Sequence, residues 1–410
     1  MIHPDRPPTS HEGASLPAPG PLPSPAEALA VLTTARVRKP GRSATAARIL
    51  ASAAVAALVA TGCVSNAPQD ALKPAGPDAR ILHNLFVPVF GIAVLVFIFV
   101  EGLILFAVIK FRRRSEDDMP KQIHGSTKLE IGWTIAPAAI LAVIGIFTVS
   151  TIFKINKIPK GPDVVHVNVI GHRWWWEYQY TDADSQGIVT ANELHIPAGR
   201  PVALDLTSVD VIHNFWPPRL NGKIYAIPGR HNKLTIEADK PDTYYGQCAE
   251  YCGLSHANMR LRVVAHDPTS WTEWLAGQQA APPIPKVPRG LDGLLDSKAL
   301  TALPVDQQDI VNGALVFQNK GCAACHAVTG YSDGLSGPNL SHLQSRKVFA
   351  GAIFDITDGN LRKWLRNPPA EKPMQPEIVN NPGGFASGMP NLHLTEQEIT
   401  QLIAFLDTLK

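Results

Sequence analysis

The sequence is long for a single domain and is nearly neutral. Its 410 residues leave room for two soluble domains and further elements, and 37 basic against 35 acidic side chains give a net charge of +2. That charge balance gives no argument for a nucleic-acid partner, and we predict none. The 36 prolines lie mostly outside the motifs described below, which indicates linkers and an extended N-terminus.

Residues 1–63 are predicted to be a disordered N-terminus followed by an export signal. The first 48 or so residues are rich in Pro, Ala, Ser and Arg and predict no packed core. A basic stretch ending at Arg48 then precedes the apolar run 49–60, an order that is typical of a secretory signal. The Gly62-Cys63 junction resembles a lipoprotein cleavage site with Cys63 lipidated. The alternative is a Cys at the end of an uncleaved apolar helix.

Two apolar runs predict a transmembrane helix hairpin within residues 80–158. Residues 86–109 and 133–153 are each long enough to cross a lipid bilayer. The loop between them is basic, so the positive-inside rule places it in the cytoplasm and both flanks of the hairpin outside. Its basic residues are Lys110, Arg112, Arg113, Arg114, Lys121 and Lys128.

One loop concentrates soft metal ligands. Cys248, Cys252, His256 and Met259 lie within twelve residues, and a second imidazole, His213, lies upstream. Thiolate, imidazole and thioether ligands favour copper, and two Cys can bridge two metal ions that each take one His and one weak ligand. Two alternatives stay open. A disulfide explains the Cys pair but not His256 and Met259, and a structural zinc site has no use for the Met.

Short alternating runs surround these ligands. Residues 165–170, 233–236 and 260–264 alternate between apolar and polar positions, and Gly- and Pro-containing turns separate such runs. Several short strands with two distant loops that supply soft ligands predict an all-β cupredoxin sandwich, which we place at residues 160–276.

The last part of the chain carries a haem-attachment motif. Cys322 and Cys325, followed by His326, form the C-x-x-C-H pattern, in which the thiols bind the haem vinyl groups and the His ligates iron. A thiol redox pair is the alternative. A Met as sixth ligand raises the potential of such a haem, and only Met374 and Met389 follow. We favour Met389, because class I cytochrome c domains commonly place the axial Met in a G-M-P context.

These features divide the rest of the chain. A Pro-rich linker is predicted at residues 277–304, and an all-α class I cytochrome c domain at residues 305–410. The fold class is therefore a multidomain membrane protein, with a transmembrane hairpin, a cupredoxin sandwich and a cytochrome c domain.

Over about residues 80–410 the chain resembles subunit II of haem–copper cytochrome c oxidases of the type that carries a fused cytochrome c domain. The resemblance implies a covalent haem c and a binuclear copper A centre in which Glu250 adds its backbone carbonyl. It also implies a magnesium ion that the Glu250 side chain shares with subunit I. The implied copper ligands are His213, Cys248, Glu250, Cys252, His256 and Met259.

The same resemblance assigns two further residues. Residues 171–178 look like the aromatic hallmark of the family, in which Trp174 is the port for electron entry, although Arg173 and Trp175 replace the usual Gln and Tyr. The fused haem domain docks either on Trp174 or through another face. Glu130, just before the second span, matches a Glu that guards the mouth of a proton channel in subunit I.

The implied function is electron transfer in a terminal respiratory oxidase. Electrons from a cytochrome c or bc-complex donor would pass through haem c and copper A to haem in subunit I, where oxygen is reduced to water with proton pumping. The implied partners are subunit I and the other oxidase subunits, and the implied location is the bacterial inner membrane with both redox domains on the periplasmic face.

Four other classes of protein share part of this pattern. A copper A nitric oxide reductase subunit stays open, because its catalytic site would also lie in another chain. The other three fit less well. Nitrous oxide reductase needs a His-rich propeller, which this sequence lacks, and a quinol oxidase subunit II lacks the copper ligands that this sequence has. A copper chaperone would need neither the haem domain nor the two spans.

Overall fold

The computed structural model describes residues 50–54, 67–113, 115, 119, 122–290, 294–375 and 387–410. The predicted lipidation site at Cys63 lies outside these residues. The chain divides into a unit of residues 1–65, in which residues 50–54 are helical, and a second compact unit of residues 66–410. The second unit contains every element considered below.

Two long apolar helices form the hairpin. Helix α1 (Pro77–Lys110) and helix α2 (Thr127–Ile155) contain the two predicted spans, and they are the two helices in the described residues that are long and apolar enough to cross a membrane. Their apolar side chains are exposed along most of their length, which is the surface that lipid would cover. Helix α1 begins earlier than the apolar pattern predicts, because a Pro at its first position favours helix initiation.

The start of α1 is fixed to the β-domain. The amides of Ala75 and Ala79 donate hydrogen bonds to the carbonyls of Arg219 (2.8 Å) and Leu220 (3.2 Å), and Asp239 donates to the Ala75 carbonyl (2.9 Å). Both alanines are buried. The hairpin is therefore joined to the β-domain by packed backbone and not only by the chain connection after α2.

Two five-stranded sheets form the β-domain. The first has the spatial order β3-β2-β1-β5-β8 and the second β4-β10-β9-β6-β7, with antiparallel neighbours except for the parallel pairs β1–β5 and β4–β10. The strands are β1 (Val165–His172), β2 (Trp175–Tyr180), β3 (Val189–Ala191), β4 (Glu193–Pro197), β5 (Val202–Ser208), β6 (His213–Trp216), β7 (Ile224–Ala226), β8 (Asn232–Ile236), β9 (Asp242–Cys248) and β10 (Arg260–His266).

The core of this sandwich lies between the sheets. Strand β9 alternates exposed and buried residues, as a strand with one core-facing side should. Trp176, Tyr178 and Phe215 are fully buried and pack edge to face. Helix α3 (Pro268–Gln279) closes the domain, and its first turn is capped by the Asp267 side chain.

The C-terminal domain is a small helical fold. Helices α5 and α9 pack so closely that a side chain at Gly313 would collide with the carbonyl of Gln401. Two short β-ribbons, which the helical pattern does not predict, complete it. The elements are α4 (Ser297–Thr301), α5 (Val305–Asn319), α6 (Cys322–Cys325), β11 (Ala327–Val328), β12 (Ser332–Asp333), β13 (Val348–Phe349), β14 (Phe354–Asp355), α7 (Asp358–Arg366), α8 (Pro368–Glu371) and α9 (Glu396–Leu406).

The stretch predicted as a linker is partly helical. Helix α3 continues to Gln279, and α4 begins at Ser297. The proline content of this region indicated an extended chain, but local helix signals still form a helix within it. One such signal is the Asp296 side chain, which caps the first turn of α4.

Candidate copper and haem sites

The predicted copper ligands meet at one end of the sandwich. The Cys248 and Cys252 sulfurs are 3.8 Å apart, and Cys248 Sγ lies 3.9 Å from His213 Nδ1. Cys252 Sγ lies 3.6 Å from His256 Nδ1 and 3.9 Å from Met259 Sδ. Two thiols, two imidazoles and a thioether therefore surround one small volume, and this donor set fits copper rather than zinc.

Strand pairing brings the distant His213 to the loop. Strand β6 pairs with β9 so that Phe215 is opposite Cys248, and the amide of Ala249 donates to the carbonyl of Asn214 (2.8 Å). The Met259 carbonyl, at the other end of the loop, accepts a hydrogen bond from the Cys248 amide (2.8 Å) and so closes the loop. The ligand loop is thus held at both ends by backbone hydrogen bonds, which favours a preformed site.

A carboxylate orients the upstream imidazole. Asp210 Oδ1 lies 2.8 Å from His213 Nε2, while His213 Nδ1 faces Cys248. Although burial opposes both effects, this hydrogen bond lowers the pKa of Asp210 and raises the pKa of His213. A carboxylate that receives the outer N–H of a ligand His fixes its tautomer. The sequence pattern did not predict this role for Asp210.

The contact between the two sulfurs moves their pKa values apart. The contact with Cys252 lowers the pKa of the Cys248 thiol, and the same contact with Cys248 raises the pKa of Cys252. Metal ions bind the thiolate form. The Cys248 thiol therefore gives up its proton to a metal more readily than the Cys252 thiol does.

The two predicted Glu residues occupy different places. Glu250 directs its backbone carbonyl toward the predicted copper ligands, and Cys248 Sγ lies 3.3 Å from it. Glu130 lies in the first turn of α2, whereas the β-domain follows the other end of that helix. Glu130 lies 25 positions before Ile155, the last residue of the helix, which is roughly 38 Å at 1.5 Å per residue. Glu130 is exposed on the described hairpin.

The haem motif lines a cavity of about 460 Å³ in the C-terminal domain. His326 Nδ1 lies 2.9 Å from the Pro338 carbonyl, which sets Nδ1 as the donor and leaves Nε2 as the free ligand atom. A side chain at Gly337 would come within 2.6 Å of the imidazole, so the backbone cradles this ring. Cys322 is buried and Cys325 is exposed.

Both candidate axial Met residues line this cavity. Met389 packs on the haem-domain core, and Trp364 Nε1 donates to its sulfur (3.2 Å). Met374 packs instead against the core of the copper domain. A backbone bridge pairs Gln375 with Ser387. Met374 and Met389 lie close to these two residues in the sequence, so the bridge brings both thioethers to the haem pocket.

The charges around the cavity suit a dicarboxylate such as haem. Among the lining residues that the structure describes are three cations, Arg173, Arg346 and Lys372, and no carboxylate. Arg346 is buried and donates to the Asn339 carbonyl (2.6 Å), while its Nε has no hydrogen-bond partner in the described residues. The cavity size, the free His326 nitrogen and these cations together fit a covalently attached haem.

The copper domain forms part of the cavity wall. Arg173, Trp174 and Trp175, from the turn between β1 and β2, line the cavity together with the haem-domain residues. Trp174 is 3 % exposed, and its Nε1 donates to the Cys252 carbonyl (2.9 Å). The haem domain thus docks on Trp174, one of the two arrangements that the sequence left open.

Comparisons with known proteins divide the chain in the same way. The family model for the transmembrane domain of cytochrome c oxidase subunit II matches residues 67–151, the model for its periplasmic domain matches residues 183–266, and the model for cytochrome c matches residues 310–410.

Individual relatives extend these matches. Cytochrome c oxidase subunit 2 of Alkalihalophilus pseudofirmus is 32% identical over 358 residues, which cover 86% of this chain and 94% of that protein. Quinol oxidase subunit 2 of Bacillus cereus is 33% identical over 219 residues, which cover 52% of this chain and 74% of that protein. The periplasmic domain of cytochrome oxidase subunit II of Bradyrhizobium japonicum, a solved structure, is 28% identical, covers 30% of this chain and 97% of that chain, and has a TM-score of 0.28.

The predicted fold class and the predicted family resemblance are both confirmed. The relative from Alkalihalophilus pseudofirmus is matched over nearly its whole length, and the family models follow one another in the predicted order. The chain belongs to the cytochrome c oxidase subunit II family, a component of haem–copper oxidases, and carries a C-terminal cytochrome c domain.

Proposed function

We propose that this chain is the electron-accepting subunit of a terminal respiratory oxidase. It takes electrons from a cytochrome c or bc-complex donor at haem c and passes them through copper A to haem in subunit I, where oxygen is reduced to water with proton pumping. The proposal places both redox domains on the periplasmic face of a bacterial inner membrane.

One observation carries this proposal: Trp174 belongs to both sites. Its ring lines the haem cavity, and its indole N–H is bonded to the carbonyl of Cys252, one of the two bridging thiol residues. A side chain at Gly253 would come within 3.2 Å of the same ring. A single rigid aromatic side chain therefore connects the two places where redox groups fit, which supports Trp174 as the residue of electron entry into the copper domain.

The chain's own residues hold and shield the two groups. Cys322 and Cys325 would attach haem, and His326 and Met389 would ligate it. Haem c and copper A, when bound, supply one-electron chemistry. The copper-ligand residues are largely buried, which excludes water and limits rearrangement between redox states. The copper ligands in this assignment are His213, Cys248, Glu250, Cys252, His256 and Met259.

Two further assignments belong to the same proposal. The backbone carbonyl of Glu250 faces the proposed copper ligands, and its side chain holds a magnesium ion shared with subunit I. Glu130, at the cytoplasmic end of α2, marks the mouth of a proton channel in subunit I. The complete set of soft ligands supports a cytochrome c type of donor over a quinol, because a quinol oxidase subunit has no use for them.

The test is electron paramagnetic resonance of the assembled oxidase, followed by rapid reduction with a cytochrome donor. We expect hyperfine structure from two equivalent copper nuclei beside a low-spin haem signal, with haem c reduced before copper A. A single-copper spectrum, or copper reduced before haem c, contradicts the proposal.

The axial ligand has its own test. Met389→Leu should abolish the thioether–iron absorption band and lower the haem c potential, because a Met ligand raises it. Met374→Leu is the matched control and should leave the band in place. The reverse pattern would assign Met374.

A further inference from the structure

A buried lysine lies where the two domains meet. Lys372, in the haem domain, is only 3 % exposed. Its Nζ donates to the carbonyl of Trp174 in the copper domain (2.6 Å) and to the carbonyl of Ala350 in the haem domain (2.9 Å). One ammonium group thus joins the turn that carries Trp174 to a turn in the wall of the haem cavity.

The neighbours of Lys372 strengthen this connection. The carbonyl of Pro373 accepts a hydrogen bond from Ser255, which lies within the copper-ligand loop. The carbonyl of Gly351 accepts from the amide of Arg260 (2.9 Å). Two haem-domain segments that line the cavity are therefore tied to the loop and to the strand next to the proposed copper ligands.

Burying an ammonium group is costly, so its position here needs a reason. A buried charge loses its hydration and is tolerated where hydrogen bonds replace the lost water. Two carbonyls do this for Lys372, although burial still lowers the pKa of its ammonium group to about 7. An apolar side chain could fill this volume at lower cost, but it could not bind both carbonyls.

We propose that Lys372 is a positioning residue that clamps the haem pocket onto Trp174, so that Trp174 receives electrons from the chain's own haem domain and is closed to an external donor. This inference rests on the proposed electron relay. It follows that an external donor docks on the haem domain and not on the copper domain.

The test uses the whole oxidase with Lys372→Met, which keeps the length of the side chain and removes the donors. After flash reduction of haem c, electron transfer to copper A should be slowed by about tenfold or more, because pre-organised positioning is lost. The midpoint potentials and the spectra of both centres should stay unchanged. Hydroxyl-radical labelling of Trp174, low in the wild type, should rise.

Asp355→Asn is the matched control. It breaks another contact between the domains, the 3.1 Å pair of Arg262 and Asp355, but Asp355 is 69 % exposed and such rim pairs contribute little. This variant should transfer electrons and label like the wild type. Lys372→Gln, which keeps a donor, should fall between the wild type and Lys372→Met.

Two outcomes separate this inference from the proposed function. If haem c of the wild type does not reduce copper A, the relay itself is wrong. If the wild type transfers electrons and both Lys372 variants are equally fast, the relay stands and the clamp is wrong. Strong labelling of Trp174 in the wild type would also overturn the clamp, whether or not the variants assemble.

Discussion

Replacement of Gly171 by Ala should displace His213, a proposed copper ligand, without changing its chemistry. A Cβ atom at this position of β1 would lie 2.6 Å from Cδ2 and 3.1 Å from Cγ of His213. An ordinary contact begins at about 3.4 Å, so the ring has to retreat by roughly 0.8 Å, whereas metal–ligand distances tolerate about 0.2 Å. We therefore expect the copper coordination to break on the His213 side.

The size of the effect follows from how little room the ring has. His213 is fully buried, its outer nitrogen is bound to Asp210, and it packs edge to face on Trp176. Overpacking of a tight core typically costs about 1–3 kcal/mol in the free energy of unfolding. Copper affinity should fall by about 10- to 100-fold, the range seen when the orientation of a ligand is lost.

The assay is copper competition with a chelator, read together with the resonance spectrum and the thermal unfolding of the full-length protein. Gly277→Ala in α3 is the matched control, because nothing lies within 4 Å of a Cβ there, and it should leave both copper binding and stability unchanged or slightly improved. If Gly171→Ala binds copper like the wild type with an unchanged spectrum, His213 is not packed as described or is not a ligand.

Three further predictions follow from the same geometry. Asp210→Asn should weaken copper binding by about tenfold or more. The control is Asp205→Asn, which breaks a similar but exposed 2.7 Å contact to His231 and should leave copper binding unchanged. Equal losses of affinity would show that Asp210 does not orient His213. Gly337→Ala should displace His326, whose Cε1 would lie 2.6 Å from the new Cβ, and shift the haem absorption bands, so an unchanged spectrum contradicts the cradle. Burial and a neighbouring His lower the pKa of His266 to about 4 in the folded protein, whereas the usual value in an unfolded chain is near 6.5. The unfolded chain therefore binds the proton more tightly, and stability is lost as the pH falls from 6.5 toward 4. Between pH 7 and pH 5, the unfolding temperature of His266→Gln should fall less than that of the wild type, and parallel curves would refute this.

The sequence determined the parts of this protein that depend on short spacing. Four of the proposed copper ligands lie within twelve residues of one another, and the proposed haem-attachment residues lie within five, so any folded loop keeps them close. The two spans follow from uninterrupted apolar runs, because length and composition decide whether a helix can cross a bilayer. The strands of the sandwich follow from alternation, although their order in the sheets does not.

Only the tertiary structure decided the contacts between distant segments. His213 reaches the predicted copper loop through the register of β6 against β9, and the orienting role of Asp210 appears only once that imidazole is in place. The contact between Lys372 and Trp174 spans 198 positions of the sequence. Such pairs depend on how the domains pack, and a local pattern does not encode packing, so the sequence could name Trp174 but could not say what covers it.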